Sequence, residues 1–137
     1  YDDANSTEIE PHTTHNVVDI MDEQKNILNL GGSMRLGAYK CKLKKGSRAY
    51  QIYGKENISE RHRHRFEFNN KYKEEFENAG MICSGLNQES DLVEIVELKN
   101  HKWYVGVQFH PEYSSTVVNP HPLFCSFIKA AIEKQKS

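Results

Sequence analysis

VGVQFHPEYSS, residues 105–115, runs an apolar strand pattern into a histidine, a proline and a glutamate in immediate succession. Val105, Val107 and Phe109 alternate with Gly106 and Gln108, the period of a strand with a buried face. His110 falls at the end of that strand. Pro111 has no N–H to continue a ladder and fixes its own φ, so the chain must turn there. A turn at that point brings the Glu112 carboxylate back toward the imidazole. A strand end carrying a histidine with a carboxylate in reach is a common way to build a general base. In an arbitrary sequence the same residues are a capping histidine and a solvated glutamate. Here the strand, the turn and the Ser/Thr-rich loop that follows supply the context the catalytic reading requires.

Outward from this stretch, MICSGLN (81–87) and LVEIVEL (92–98) read as two further strands joined by the polar turn NQESD. KYKEEFENAG (71–80) places Tyr72, Phe76 and Ala79 on one face and ends in Gly80, a short amphipathic helix. HPLFCSFIKAAIEKQK (121–136) puts Pro122 in a first helical turn, with Phe124, Phe127, Ile128 and Ala131 on one face and Lys129, Glu133 and Lys134 polar. AYKCKL (38–43) alternates as a half-exposed strand, HNVVDIM (15–21) fits a strand or one helical turn, and SRAYQIYG (47–54) is ambiguous. The first fifteen residues read as a polar surface arm. This order predicts an α/β domain whose later strands include an antiparallel pair.

The 137 residues suffice for one small domain, and a net charge of −1 gives no global field for nucleic acid or an anionic membrane. No apolar run approaches the roughly 20 residues that span a bilayer, and YDDANSTEIE is not a signal peptide. The three cysteines, Cys41, Cys83 and Cys125, lie far apart, the usage of reduced thiols in the cytosol. The first residue is not methionine, so a processed, truncated or partial chain is expected.

A histidine–carboxylate pair needs a nucleophile. Cys83 has Gly85 at +2 but Met81 at −2, and leads into a turn and a strand where an elbow leads into a helix. Cys41 sits between two lysines, and Cys125 lies inside the terminal helix. The nucleophile is therefore expected outside this chain. In ERHRHRFEFNN (60–70), strand geometry puts Arg61, Arg63, Arg65 and Glu67 on one face and His62, His64, Phe66 and Phe68 on the other, tied to the core. The arginine row suits a carboxylate ligand held by two parallel hydrogen bonds. A metal site at His62 and His64 lacks Cys and Asp partners nearby, and His12 and His15 lie in the polar arm, so no metal is expected.

GVQFHPE resembles the histidine–glutamate motif of class I glutamine amidotransferases, in which an earlier cysteine completes a Cys-His-Glu triad. With ANSTEI, LGGSMRLG, ERHRHRFEFN and HPLFCSFIKAA, the whole chain resembles the second half of the glutaminase domain of the CTP synthase family. That resemblance implies a mixed sheet flanked by helices, with residues 1–137 as the C-terminal part of the domain. The first strands, the nucleophile elbow and the synthetase domain would lie outside it. It implies His110 as general base and acid, Glu112 as its orienter, and Glu8 and Arg65 as glutamine-binding residues. Ser33, standing where threonine is more usual, and Arg35 lie in a stretch associated with coupling to GTP. The implied activity is hydrolysis of glutamine to supply ammonia for ATP-dependent amination of UTP to CTP. The segment alone would be inactive and need no cofactor, while the parent enzyme uses ATP with Mg²⁺ and GTP as activator. The implied partners are L-glutamine, the rest of the polypeptide and further copies in a cytoplasmic homo-oligomer, without nucleic acid or membrane.

Two other readings remain at this point. One is another class I amidotransferase or a γ-glutamyl hydrolase sharing only the triad. The other is a non-catalytic module using RHRHR as an RNA or phosphate patch, which the flanking Glu60 and Glu67 disfavour.

Overall fold

The long antiparallel pair that organises the fold follows from alternation. In the computed structural model, which describes residues 1–20 and 34–136, strand β3 (Arg35–Leu43) buries Arg35, Cys41 and Leu43 and exposes Leu36, Ala38, Lys40 and Lys42. It pairs antiparallel with β4 (Asn57–His64), which buries Ile58, Glu60 and His62. Beyond β3 the sheet continues through β6 (Met81–Leu86), β7 (Val93–Leu98) and β8 (Val105–Val107), giving the order β4-β3-β6-β7-β8, antiparallel at every step. A second sheet has the order β1-β2-β5, from β1 (Ala4–Ser6), β2 (His15–Ile20) and β5 (Phe66–Phe68). It is mixed, with β1 parallel to β2 and β2 antiparallel to β5. The α/β reading holds, and β6–β7 is the antiparallel pair the sequence foresaw.

The core gathers Cys41, Leu43, Ala49, Ile58, Ile95, Phe109 and Leu123. Gly85 permits the close approach of β6 to its neighbours. A Cβ there would lie 2.6 Å from Ile95 Cγ1 and 2.8 Å from Cys41 Sγ, where the β6–β7 register shifts.

The ambiguous SRAYQIYG forms helix α1 (Arg48–Tyr53). The Ser47 hydroxyl accepts the Tyr50 N–H, and Gly54 ends the helix at φ 65°. Glu97 of β7 completes the cap, accepting the Arg48 and Ala49 N–H groups at 2.8 and 3.0 Å. The expected helix over 71–80 is shorter: a 3₁₀ turn at Asn70–Tyr72, then α2 (Lys73–Asn78).

Three expectations change. The face of ERHRHRFEF predicted from strict alternation swaps at Arg65. Arg61 and Arg63 are exposed and His62 buried, but the chain bends at Arg65 and enters the other sheet as β5, so Glu67 becomes 1% exposed. The bend changes the parity of everything after it. Helix α3 (Pro122–Gln135) starts with Pro122 as predicted. Its expected apolar face is mostly uncovered, with Phe124 41%, Phe127 51% and Ile128 55% exposed, and Leu123 is the residue it buries. Trp103 packs edge-on against Phe127, and the His121 ring lies against Phe124. Finally, pairing in WYVGVQFH covers only Val105–Val107. No helix among the described residues is long and apolar enough to cross a membrane.

Candidate active site

Beyond Val107 the chain leaves the ladder without losing its hydrogen bonds. The Gln108 N–H donates to Glu94 O at 3.0 Å, Phe109 is buried, and the His110 N–H donates to Arg61 O at 2.9 Å. The end of β8 is thereby tied to β4, on the far edge of the same sheet. Pro111 opens a 3₁₀ turn over Pro111–Ser114, in which the Tyr113 N–H donates to His110 O at 3.2 Å. The turn puts the Glu112 carboxylate beside the imidazole, and His110 Nδ1 donates to Glu112 Oε1 at 2.7 Å. Glu112's own backbone N–H and then His110 hold its carboxyl below the ordinary range. With Nδ1 engaged, Nε2 is the nitrogen left to exchange a proton with a reacting group. Both side chains are open to solvent, 37% and 55% exposed, so a substrate can reach them.

Arg65 sits at the bend between β4 and β5, half-buried, with its Nε enclosed and unpartnered among the described residues. Its guanidinium makes no ion pair among the described residues, which suits it to an incoming carboxylate. Gln108 stitches this bend to the strand carrying the base: oriented to satisfy its neighbours, its amide donates to Phe66 O at 3.1 Å and Glu67 Oε2 at 3.2 Å. Glu8 is exposed just beyond β1. The registers Ser6↔Val18 and Ile20↔Phe66 place Glu8 and Arg65 at the same end of the three-stranded sheet, one past each outer strand.

Ser33 lies outside the described residues. Arg35 is 8% exposed and sits in an ion cluster that sequence reasoning missed. Its Nη2 is 2.6 Å from Glu94 Oε1, and its Nη1 is 3.6 Å from Glu67 Oε1. His62 Nε2 faces Glu94 Oε2 at 3.5 Å, and His64 Nδ1 lies 3.1 Å from Phe66 O. His62 Nδ1 and His64 Nε2 are 2.7 Å apart. Burial, reinforced by Arg35, pushes His62 down to about 3 and His64 to about 4, so both are neutral. Burial pushes Glu67 up to about 7 and raises Glu94, with Arg35 opposing both shifts. Ligand atoms of His62, His64 and Glu94 lie within 4.8 Å of one another. The guanidinium already supplies that carboxylate's counter-charge, so the group reads as an ion network beneath the base: His62 stacks edge-on against Phe109, the residue before His110. The signal available in the sequence was Glu94 and Glu97 inside an otherwise apolar strand.

None of the three cysteines makes a hydrogen bond or ion pair to His110 among the described residues. Cys41 and Cys83 are buried, the former pushed up to about 12 and the latter raised, chiefly by desolvation. Cys125 is exposed on α3.

The family model for glutamine amidotransferase class-I matches residues 9–130. The chain is 66% identical over 137 residues to a CTP synthase of Bacteroides thetaiotaomicron, covering 100% of this chain and 26% of that protein. A Porphyromonas gingivalis CTP synthase is 61% identical over 136 residues, covering 99% of the chain and 25% of its own length. The chain thus spans about a quarter of the curated relatives it matches. Among solved structures, the glutaminase domain of Trypanosoma brucei CTPS with bound acivicin superposes with a TM-score of 0.89 at 38% identity, covering 97% of this chain and 52% of that one. A family match over nearly the whole chain, on a fold that pairs His110 with Glu112, has one consequence: this chain belongs to the class-I glutamine amidotransferases.

Proposed function

We propose that the chain is the C-terminal part of the glutaminase domain of a CTP synthase, hydrolysing glutamine to supply ammonia for ATP-dependent amination of UTP. The observation that carries this reading is the 2.7 Å contact between His110 Nδ1 and Glu112 Oε1 at a solvent-open strand end, together with the relatives' name. His110 Nε2 takes the proton of a cysteine thiol supplied by another part of the polypeptide. The thiolate attacks the side-chain carbonyl carbon of glutamine, and the same nitrogen returns the proton to the departing ammonia. His110 then deprotonates water, which cleaves the thioester to glutamate and restores the thiol. Glu112 keeps the imidazole in the Nε2-reactive tautomer and stabilises the imidazolium. Arg65 receives the α-carboxylate and Glu8 the α-ammonium.

The ammonia passes to a synthetase portion using ATP with Mg²⁺, in a cytoplasmic homo-oligomer, with GTP as activator. Any part Ser33 and Arg35 play in GTP coupling is, for Arg35, exerted through Glu94 and Glu67, because its guanidinium is buried against them. The test is Arg65→Ala in the polypeptide that carries this segment. Losing a charge-assisted hydrogen bond of about 1.5–3 kcal/mol should raise the half-saturating glutamine concentration roughly 10- to 150-fold. Synthesis from added ammonia should be near normal. An unchanged glutamine saturation curve would make Arg65 a structural residue and remove the pocket from this account.

A further inference from the structure

Another histidine–carboxylate pair lies behind His110 and Glu112, and unlike them is closed to solvent. Glu60 and His121 are 6% and 4% exposed. His121 begins α3, and its Nδ1 accepts the Leu123 N–H at 3.2 Å. That contact fixes the tautomer, so Nε2 carries the hydrogen and donates it to Glu60 Oε1 at 2.7 Å. The Tyr53 hydroxyl donates to the same oxygen at 2.9 Å. Burial and the Glu60 charge push the Tyr53 phenol up, keeping it a donor.

The other carboxylate oxygen is turned toward the catalytic turn. Ser114 Oγ, in the last position of the Pro111–Ser114 turn, donates to Glu60 Oε2 at 3.3 Å. The neighbouring residue acts on the same loop, since Arg61 O accepts the His110 N–H. The chain leaving the turn is anchored to the same pair: the His121 N–H donates to Ser115 Oγ at 3.0 Å. The segment carrying His110 and Glu112 is therefore held at its start by Arg61 O, at its end by Glu60, and at its exit by His121.

We propose that Glu60 and His121 are positioning residues for the proposed glutamine hydrolysis, clamping the Pro111–Ser114 turn so that Glu112 meets His110 Nδ1. Among the described residues neither makes a hydrogen bond or ion pair to the His110 or Glu112 side chain. They act by fixing the backbone that sets the His110–Glu112 distance, and small misplacements of a base cost rate more than they cost substrate binding.

The inference rests on the glutaminase reading, and one series separates the two. In the polypeptide that carries this segment, Glu60→Gln keeps the shape of the clamp and removes its charge. Ser114→Ala removes the hydroxyl that links the turn to Glu60, together with its 3.4 Å contact to Pro111 O, at an exposed position where folding is not at risk, and Ser114→Thr restores the hydroxyl. Glutamine hydrolysis should lose roughly 10- to 100-fold in kcat for Glu60→Gln and about 3- to 10-fold for Ser114→Ala. Ser114→Thr should return toward the parent rate. Glutamine KM should stay within about twofold, and synthesis from added ammonia should be unaffected. Equal losses with glutamine and ammonia, losses confined to KM, or an unchanged kcat in both variants of a parent active on glutamine would overturn the clamp alone. A parent inert toward glutamine would overturn the underlying reading, and the clamp with it.

Discussion

Replacing His110 by alanine is expected to lower glutamine-dependent product formation by about 10²–10⁴-fold, while synthesis from added ammonia continues at the parent rate. The size follows from the number of proton transfers that pass through one nitrogen. In the proposed mechanism Nε2 deprotonates the thiol, protonates the departing ammonia and deprotonates the hydrolytic water, while Glu112 engages Nδ1. Its removal leaves the Arg61 O contact intact, because that bond is made by the His110 backbone N–H. The turn should keep its shape, and the loss should fall on chemistry with little change in glutamine binding. Glutamate release measured beside ammonia-driven synthesis decides the matter. Equal failure of both in a folded variant would show that His110 serves the structure.

What the sequence disclosed was local. The alternation of Val105, Val107 and Phe109, the stop at Pro111 and the return of Glu112 occupy eight consecutive residues, and the structure builds the turn and the His110–Glu112 pair as read, although the ladder ends at Val107. What it withheld depended on distant partners. Helix α1 could not be told from a strand because much of its cap is Glu97, 49 residues from Arg48. Glu67 was placed with the arginines because nothing local announces that the chain changes sheets at Arg65, and one bend reverses every later assignment. That Glu94 meets Arg35 at 2.6 Å follows from no local pattern, since the two lie on separate strands. The apolar row of α3 was recognised correctly as a pattern, but a pattern states only that a face can be covered, and among the described residues most of it is not. Glu8 and Arg65 were assigned by resemblance, and only the registers of β1, β2 and β5 put them at one sheet end.

Arg35 is where two roles compete, and Arg35→Leu tells them apart. If the residue is chiefly the counter-charge of a buried cluster, its loss leaves Glu94 and Glu67 enclosed without a cation. The domain should then lose about 3–5 kcal/mol of stability. The pH dependence carries the signature. Glu67 has a folded pKa near 7, above its unfolded value. Its contribution is therefore fully present below about pH 4.5 and lost as pH rises through 7. Arg35 holds that shift down, so without it the raised pKa climbs further and the loss on the alkaline side deepens. The histidines run the other way. His62 near 3 and His64 near 4 contribute stability that is present above about 6.5 and lost as pH falls through those values. Arg35 also depresses them, so its removal eases their acid loss. Both effects make the gap between parent and variant small near pH 5 and large near pH 8. Unfolding midpoints at the two pH values, with Glu94→Gln added to Arg35→Leu to relieve one stranded carboxylate, should show the gap widening and then partly closing. A variant as stable as the parent at pH 8 that no longer responds to GTP would instead make Arg35 a coupling residue, and would leave the buried carboxylates without the counter-charge assigned to them.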